Sequence, residues 1–463
     1  MVMSGLRMAL AALCAIVMIS VGAMAAAEEP PADPELHHAL NLIYKGPPRN
    51  QESLEWIQAR GGLDMVAHLI VAIRYSRLGT TRISDVLQEM TGVPKLRHWF
   101  DWMLWQEANP EIRPHQSLQP FKAAIFKALH PDFARFYQAD TEFAVRPEEV
   151  VWGGVPVDGI PALDRPSLIS ASEADYLLAT DEVFGVEING DARAYPLRIM
   201  GWHEMFNDVI GGVPVSLAFC TLCGSSILYE GDHPALSAAG VEGPLTFGSS
   251  GLLYRSNKVM YDRNTDSLWN QFTGEPIAGP LLGSDVKLGI RPVVITTWAK
   301  WRARRPETRV LSLETGYIRD YRSGVVYEDY FASTELMFPA IGDAVNRLKQ
   351  KDQVFGMRLG ADVKAWPLEA FDGGRVLNDS IGERAVVLIG DSASRTVRAY
   401  ERKSYAFIEG LKKTRDGRVW RMMEDALIAP DGERLRRLPG HVSYWFAWAS
   451  YLGERSALFY PDR

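Results

Sequence analysis

The chain has 463 residues, of which 47% are hydrophobic and 10% aromatic. This length predicts roughly two to three domains, with enough apolar side chains for sizeable cores. The 57 acidic and 50 basic residues give a net charge of −7, and the two signs are interspersed along the chain. That balance argues against binding to nucleic acid or to an anionic membrane surface.

The N-terminal 25 residues are typical of a secretory signal peptide. Arg7 precedes an apolar run over residues 8–21, and a small-residue cleavage site follows at 23–25. The run is too short for a stable anchor, and no other segment approaches the length of a membrane span. We therefore expect a cleaved signal at 1–25 and a mature protein that is periplasmic or secreted and has no stable membrane span.

Residues 26–145 carry helical periodicity, with apolar side chains three and four positions apart. The pattern predicts an all-helical domain with helices in the segments 54–59, 65–75, 83–90, 96–107 and 120–129. A stretch rich in proline and glycine, from 146 to 166, then leads into a region of different character.

Short β-type runs separated by turn residues fill the rest of the chain. Segments 183–188 and 192–197 flank Asn189-Gly190, which predicts a hairpin with a type I′ turn. An apolar strand at 213–219 follows. The expected fold class is α+β, with the helical region first and a mainly β region after it.

The β region contains an internal repeat. The sequence of residues 181–185 returns almost unchanged at 352–356, and the ungapped windows 181–215 and 352–386 share 13 identities in 35 positions. We therefore predict a duplicated β-rich unit, with a first copy at 146–335 and a second, degenerate copy at 336–463.

The repeat allows each half to serve as a control for the other. Asn207 and Asp208 are matched by Asn378 and Asp379, which favours a structural role in both copies. At three positions the first copy has an imidazole or a thiol, whereas the second copy has Gly, Asp and Ser. These positions are His203, Cys220 and Cys223 in the first copy, aligned with Gly374, Asp391 and Ser394 in the second.

Cys220 and Cys223 are the two cysteines that remain once the signal, which holds Cys14, is removed. A single Cys-x-x-Cys pair in an exported protein is a local disulfide, a redox couple or two ligands of a metal. The pair follows a strand, and the residues after it read as another strand, as in a metal knuckle. His203 is the best third ligand.

A closed metal site would need a fourth ligand. The sequence offers three candidates, which are Glu204, Asp208 and His233. Copper or zinc would suit such a set of sulfur and nitrogen ligands.

Several further motifs resemble the bacterial family known as domain of unknown function 3179, over roughly residues 150–460. They are Asp158-Gly-Ile-Pro161, Ala194-Tyr-Pro-Leu197, His203-Glu204, Asn207-Asp208, Cys220-x-x-Cys223-Gly224, the run 247–254, Met260-Tyr-Asp-Arg263, Ser267-Leu-Trp269 and Arg309-Val-Leu-Ser312. Members typically have proline after the first cysteine, where this chain has Thr221. Some relatives carry selenocysteine in this motif, which implies redox or soft-metal chemistry. The family name brings no accepted activity.

The sequence favours a periplasmic thiol redox protein, with Cys220 as the attacking thiolate, Cys223 as the resolving partner and His203 as base or charge stabiliser. One alternative is a protein that binds copper or zinc through the same three residues. Another is a non-catalytic protein whose disulfide stiffens a turn. The partner would be a small molecule, a metal or a redox protein.

Overall fold

The computed structural model describes residues 32–94, 96–340, 347–408, 413–453 and 455–460. The expected signal peptide, with Cys14, lies outside the described residues. Helices come first and a mainly β region follows, in agreement with the expected α+β class. Within the described residues, every helix is too short or too polar to cross a membrane.

In the described part of the N-terminal region there are six α-helices, and all but the first overlap one of the five segments predicted from periodicity. They are α1 (Pro34–Tyr44), α2 (Arg49–Arg60), α3 (Val66–Tyr75), α4 (Thr80–Thr91), α5 (Trp99–Ala108) and α6 (Leu118–Leu129). The first helix begins at Asp33, whose carboxylate accepts a hydrogen bond from the backbone N–H of Leu36 at 2.8 Å. Helix α4 ends at Gly92 in the left-handed conformation.

The helical region shares a core with the β region. Phe121 and Phe126 of α6 belong to one apolar cluster with Leu252 and Tyr261, which lie far along the chain. The buried ammonium group of Lys122 donates a hydrogen bond to the backbone carbonyl of Val150. The helices are therefore packed directly onto the sheets.

The β region holds strands β1 to β27 and short helices α7 to α11. The strands are β1 (Val150–Trp152), β2 (Leu163–Asp164), β3 (Leu168–Ser170), β4 (Glu182–Ile188), β5 (Asp191–Pro196), β6 (Met205–Ile210), β7 (Val213–Cys220), β8 (Ser225–Glu230), β9 (Phe247–Tyr254), β10 (Asn257–Asp262), β11 (Leu268–Asn270), β12 (Glu275–Ala278), β13 (Ile290–Arg291), β14 (Val294–Thr297), β15 (Arg309–Leu311), β16 (Gln353–Leu359), β17 (Asp362–Pro367), β18 (Arg375–Ile381), β19 (Arg384–Asp391), β20 (Thr396–Glu401), β21 (Phe407–Ile408), β22 (Lys413–Thr414), β23 (Arg421–Met422), β24 (Ala426–Ile428), β25 (Arg434–Leu438), β26 (His441–Tyr444) and β27 (Ser456–Leu458). The helices are α7 (Leu197–His203), α8 (Ala235–Ala238), α9 (Trp298–Arg304), α10 (Glu328–Ala332) and α11 (Trp445–Leu452).

In the described part of the chain, five sheets of four to six strands form a propeller-like ring. Their strand orders are β1-β9-β10-β11-β12, β13-β8-β7-β6-β2, β14-β4-β5-β15-β3, β26-β16-β17-β27 and β18-β19-β20-β25-β24-β23. The order β14-β4-β5-β15 is matched by β26-β16-β17-β27, and the pairs β5-β15 and β17-β27 are both parallel. The three-stranded run β6-β7-β8 is matched by β18-β19-β20.

Local turn chemistry accounts for the first hairpin of the repeat. Asn189 and Gly190 have φ values of 49° and 83° and join β4 to β5, which confirms the predicted type I′ turn. The predicted apolar strand at 213–219 is β7, which ends on Cys220.

Two tryptophan residues occupy matching places in the two halves. A Cβ atom on Gly185 would lie 2.4 Å from the ring of Trp301, and one on Gly356 would lie 2.0 Å from the ring of Trp448. Both contacts are too close for any side chain, so β4 needs glycine where α9 packs on it, and β16 needs glycine where α11 packs on it.

The matched asparagines also make the same contacts. Asn207 exchanges two hydrogen bonds of 2.9 Å with the backbone of Phe247, and Asn378 exchanges two of 2.8 Å with the backbone of Phe407. Asn207 on β6 and Asn378 on β18 each hold a later segment of the chain against their strand, which is a structural role.

Candidate thiol site

The two cysteines lie at the tip of the β7–β8 hairpin. Cys220 is the last residue of β7 and pairs with Ser225, the first residue of β8. The backbone N–H of Cys223 donates to the carbonyl of Cys220 at 3.2 Å and closes the turn. Gly224 follows with φ of +59°, a left-handed conformation that glycine adopts without steric cost. The pair therefore sits between two strands, as the sequence predicted.

Both thiols are free and almost completely buried, with 2% of Cys220 and none of Cys223 exposed. The Cys223 thiol is within hydrogen-bonding reach of the Cys220 sulfur and lies 3.3 Å from the carbonyl oxygen of Ser256. Its single proton thus has two acceptors. The Cys223 sulfur in turn accepts a hydrogen bond of 3.2 Å from the side-chain amide of Asn257.

This arrangement makes the two thiols unequal acids. Burial alone would raise the pKa of Cys220, but hydrogen bonds from the Cys223 thiol and from the backbone amides of Lys258 and Cys223 bring that pKa below its ordinary value. The pKa of Cys223 is raised well above its ordinary value by burial and by its hydrogen bond to Cys220. Cys220 is therefore the thiol that ionises first, with Cys223 as its proton donor.

The β9–β10 turn supplies the groups around the sulfur atoms. Its two residues, Arg255 and Ser256, have φ values of 48° and 62°, which are uncommon for residues other than glycine. The Arg255 guanidinium holds the turn in place by donating to the Glu149 carboxylate at 2.6 Å and to the carbonyl of Ser450 at 3.0 Å. As a result Asn257 and the amide of residue 258 face the cysteines.

A buried ion pair lies beside Cys220. Lys258 Nζ and Glu204 Oε2 are 2.6 Å apart, and both side chains are about 6% exposed. The other carboxylate oxygen of Glu204 accepts a hydrogen bond of 2.8 Å from the Thr221 hydroxyl in the cysteine turn. Glu204 has φ of +57° and ends helix α7. The negative charge of Glu204 opposes ionisation of Cys220.

Cys220, Glu204 and Lys258 line one cavity of about 70 Å³. Tyr327 adds a hydroxyl group that hydrogen-bonds to Thr221 and Glu204, and burial raises the pKa of this tyrosine. The apolar part of the wall includes Phe338 and Met337, and Met337 is 52% exposed. The cavity therefore has a polar inner wall and an apolar residue at the surface.

His203 is buried, and both of its ring nitrogens are already engaged. Nδ1 lies 2.8 Å from the carbonyl oxygen of Pro161, and Nε2 lies 2.6 Å from the hydroxyl of Tyr321. Burial lowers the pKa of His203. Its neighbour Glu204, and not the imidazole, lines the cavity beside Cys220.

The candidate metal ligands do not converge. Asp208 accepts hydrogen bonds from Arg193 and Tyr195, and His233 Nδ1 accepts one from a backbone amide of its own loop. Among the described residues, one group of three potential ligands lies within 4.8 Å, and it consists of Asp33, Glu35 and His115 at the start of the chain. The structure thus brings Cys220, Cys223 and Glu204 together, without the ring of His203.

Three residues of the site were not anticipated from the sequence, namely Asn257, Lys258 and Tyr327. Asn257 and Lys258 follow a two-residue loop, Arg255-Ser256, that lacks the Asn-Gly signature of a type I′ turn. The sequence does contain one indication of their importance, which is their position: the motifs of the family resemblance, residues 247–254 and 260–263, lie on both sides of this loop.

A family model described as "Protein of unknown function (DUF3179)" matches residues 157–455. The matched range contains the cysteine hairpin, the β9–β10 turn and Tyr327. No curated protein and no solved structure matches this chain.

Proposed function

The chain belongs to the DUF3179 family, whose function is unknown, and we propose that it is a thiol-based redox protein in which Cys220 and Cys223 cycle between dithiol and disulfide. The observation that carries this proposal is the placement of two free, buried thiols side by side in one hairpin turn, with the pKa of Cys220 lowered and that of Cys223 raised. A disulfide forms when a thiolate reacts first and a nearby thiol resolves the product. Cys220 has the character of the first group and Cys223 that of the second.

Lys258 and Glu204 are the charged groups that face this chemistry. The ammonium group of Lys258 lines the same cavity as the Cys220 sulfur and can supply a proton to a leaving group there. Glu204 holds Lys258 in place and accepts from Thr221 in the cysteine turn. We assign His203 a positioning role, because it anchors the end of α7 from which Glu204 projects.

The second half of the β region serves as scaffold in this proposal, and we infer that it arose by duplication of the first. The matching strand orders support this view, as does the turn between β19 and β20. There Asp391 and Ser394 stand at the positions of the cysteines, and the Ser394 hydroxyl donates to the Asp391 carboxylate at 2.5 Å. The same turn geometry is present without sulfur.

We further propose that the mature protein works outside the cytoplasm, in the bacterial periplasm or as a secreted protein. This rests on the signal-like composition of residues 1–25. An oxidising compartment suits a dithiol that is oxidised in each cycle. Binding of copper or zinc by the two sulfur atoms is the alternative that the first experiment must separate.

The experiment is native intact mass spectrometry of the protein, purified without reductant or chelator, followed by equilibration in thiol–disulfide buffers. We expect a metal-free chain that loses two hydrogens reversibly and has a reduction potential above about −300 mV, the value below which structural disulfides lie. Cys220→Ser should abolish this behaviour. Asp391→Asn, in the matching turn of the other half, should leave it unchanged.

The other outcomes assign the site differently. A bound metal ion that disappears in Cys220→Ser would make this a metal site. A disulfide with a potential well below that of glutathione would make the pair a structural staple, and in that case Cys220→Ser would lower thermal stability alone.

A further inference from the structure

Burial restricts what the cysteine pair can react with. Thiol–disulfide exchange requires the attacking sulfur to reach a sulfur atom of the other molecule. Cys220 is 2% exposed and Cys223 is fully buried, at the tip of a hairpin covered by the second half of the chain. The backbone N–H of Tyr444 donates to the Cys223 carbonyl at 2.8 Å, and the Tyr330 hydroxyl donates to the Leu222 carbonyl at 2.7 Å. A folded protein substrate cannot approach this turn without displacing those contacts.

The approach that remains is the cavity of about 70 Å³ beside Cys220. A water molecule occupies roughly 30 Å³ of liquid volume, so this space suits a molecule with two to four heavy atoms. We propose that the oxidant of this site is a small hydroperoxide, either hydrogen peroxide or a short alkyl hydroperoxide, admitted past Met337. This inference rests on the proposed dithiol function and specifies its substrate class.

The chemistry balances with the groups that line the cavity. The Cys220 thiolate attacks the terminal oxygen of the hydroperoxide, so that an S–O bond forms and the O–O bond breaks. The electron pair of that bond leaves on the other oxygen as alkoxide or hydroxide, which takes a proton from the Lys258 ammonium group. The products are a sulfenic acid on Cys220 and an alcohol or water. Lys258 regains its proton from solvent, to which Cys220 lost its own.

The second step uses the hydrogen-bonded partner. The Cys223 sulfur attacks the sulfenic sulfur of Cys220, so that an S–S bond forms and the S–O bond breaks. The hydroxyl group leaves with the Cys223 proton as water. In sum, the dithiol gives up two electrons and two protons, and the hydroperoxide becomes an alcohol and water. Two molecules of a small thiol, oxidised to their disulfide, return the pair to the dithiol.

The polar groups on the cavity wall make the cavity a better site for a hydroperoxide than for an apolar oxidant. The Lys258 ammonium and the Tyr327 hydroxyl are donors, and the Glu204 carboxylate between them is an acceptor. A hydroperoxide has two adjacent oxygen atoms and one O–H group, so it can both accept and donate on the same wall. Leu253 and Phe338 complete the cavity with carbon atoms.

The test compares oxidants on the reduced full-length protein. Equal concentrations of hydrogen peroxide, cumene hydroperoxide and glutathione disulfide are mixed with it, and intact mass follows formation of the disulfide. We expect hydrogen peroxide to react at least about tenfold faster than either bulky oxidant. The bulky oxidants do not fit the cavity and cannot place their reacting atom against the Cys220 sulfur, and such misplacement lowers a rate by about that factor or more. In Cys223→Ser, hydrogen peroxide should instead leave a sulfenic acid on Cys220, which intact mass detects as the gain of one oxygen atom.

A second variant tests the entry route. Met337→Trp places a bulky side chain at the cavity and should slow oxidation by hydrogen peroxide severalfold while leaving the equilibrium reduction potential unchanged. Val419→Trp, at an exposed apolar position on the other half, is the matched control and should have no effect. Equal rates in Met337→Trp and the control would overturn the assigned entry route.

The dithiol proposal and the hydroperoxide inference predict different results, so each can be refuted separately. If glutathione buffers oxidise and reduce the pair reversibly but hydrogen peroxide is no faster than glutathione disulfide, the hydroperoxide inference is overturned and the dithiol proposal stands. If no oxidant yields the disulfide, the dithiol proposal itself is overturned.

Discussion

The hydrogen bond from Cys223 to Cys220 has a measurable consequence for acidity. A hydrogen bond to a charged group contributes about 1.5–3 kcal/mol, and a change of one pKa unit corresponds to about 1.4 kcal/mol. Replacing Cys223 by alanine removes the donor from the Cys220 thiolate. We therefore expect the pKa of Cys220 to rise in Cys223→Ala, because its thiolate loses the contribution of that donor.

Serine at the same position is the matched control. Its hydroxyl has nearly the size of the thiol and can still donate to the Cys220 sulfur. The pKa of Cys220 in Cys223→Ser should therefore stay closer to that of the wild-type protein than in Cys223→Ala, since most of the hydrogen-bond contribution is kept.

The assay is the ultraviolet absorbance of the thiolate as a function of pH, with Cys220→Ser as the blank. Unfolding temperature is recorded for each variant, so that titration is compared between folded proteins. The reasoning is refuted if the alanine and serine variants titrate at the same pH, or if the alanine variant is the more acidic of the two. Either result would mean that the backbone amides alone set the acidity of Cys220.

Three further predictions concern the framework. Lys258→Met should lower the free energy of unfolding by about 3–5 kcal/mol because it leaves the buried Glu204 carboxylate without its cation, and adding Glu204→Gln should recover part of the loss; additive effects in urea unfolding would contradict this. Gly356→Ala should destabilise the protein by about 1–3 kcal/mol through overpacking against Trp448, and an unchanged unfolding temperature would exclude that contact. Burial lowers the pKa of His441 to about 3, so the unfolded chain binds a proton first as the pH falls below 6.5. The free energy of unfolding should then decrease between pH 6.5 and 3 by up to about 5 kcal/mol, and His441→Phe should make this pH dependence less steep. An equally steep pH dependence in His441→Phe would contradict the prediction.

Features set by neighbouring residues were accessible from the sequence. Asn189-Gly190 specifies its turn through local backbone preferences, and the position of Cys220 at the end of an apolar strand followed from the residues on either side. The similarity of the two β segments was also visible in the sequence, because Asn207 and Asn378 each make the same pair of hydrogen bonds to a later backbone segment. Such predictions need no knowledge of which distant segments meet.

The polar surroundings of the thiols could not be predicted in the same way. Asn257 and Lys258 reach the cysteines across a sheet contact between segments more than 30 residues apart in sequence, and Tyr327 comes from farther along the chain. A second difficulty is the direction in which neighbouring side chains point. Successive residues of a helix point about 100° apart, so adjacency of His203 and Glu204 in sequence does not place both side chains at one site.

The comparison of the two matching turns bears most directly on function. In the second half Asp391 is 23% exposed and pairs with Lys300, so its charge is solvated at little cost. In the first half the same turn carries two thiols without solvent contact, beside an ion pair that is itself buried. Burying Glu204 and Lys258 costs several kcal/mol of desolvation, and a pair of apolar residues would stabilise the fold at least as well. A structural role for the turn is already met by the solvated version. Burial, sulfur and a buried cation therefore occur together at the first turn although the fold does not require them there, which supports the proposed reaction at Cys220.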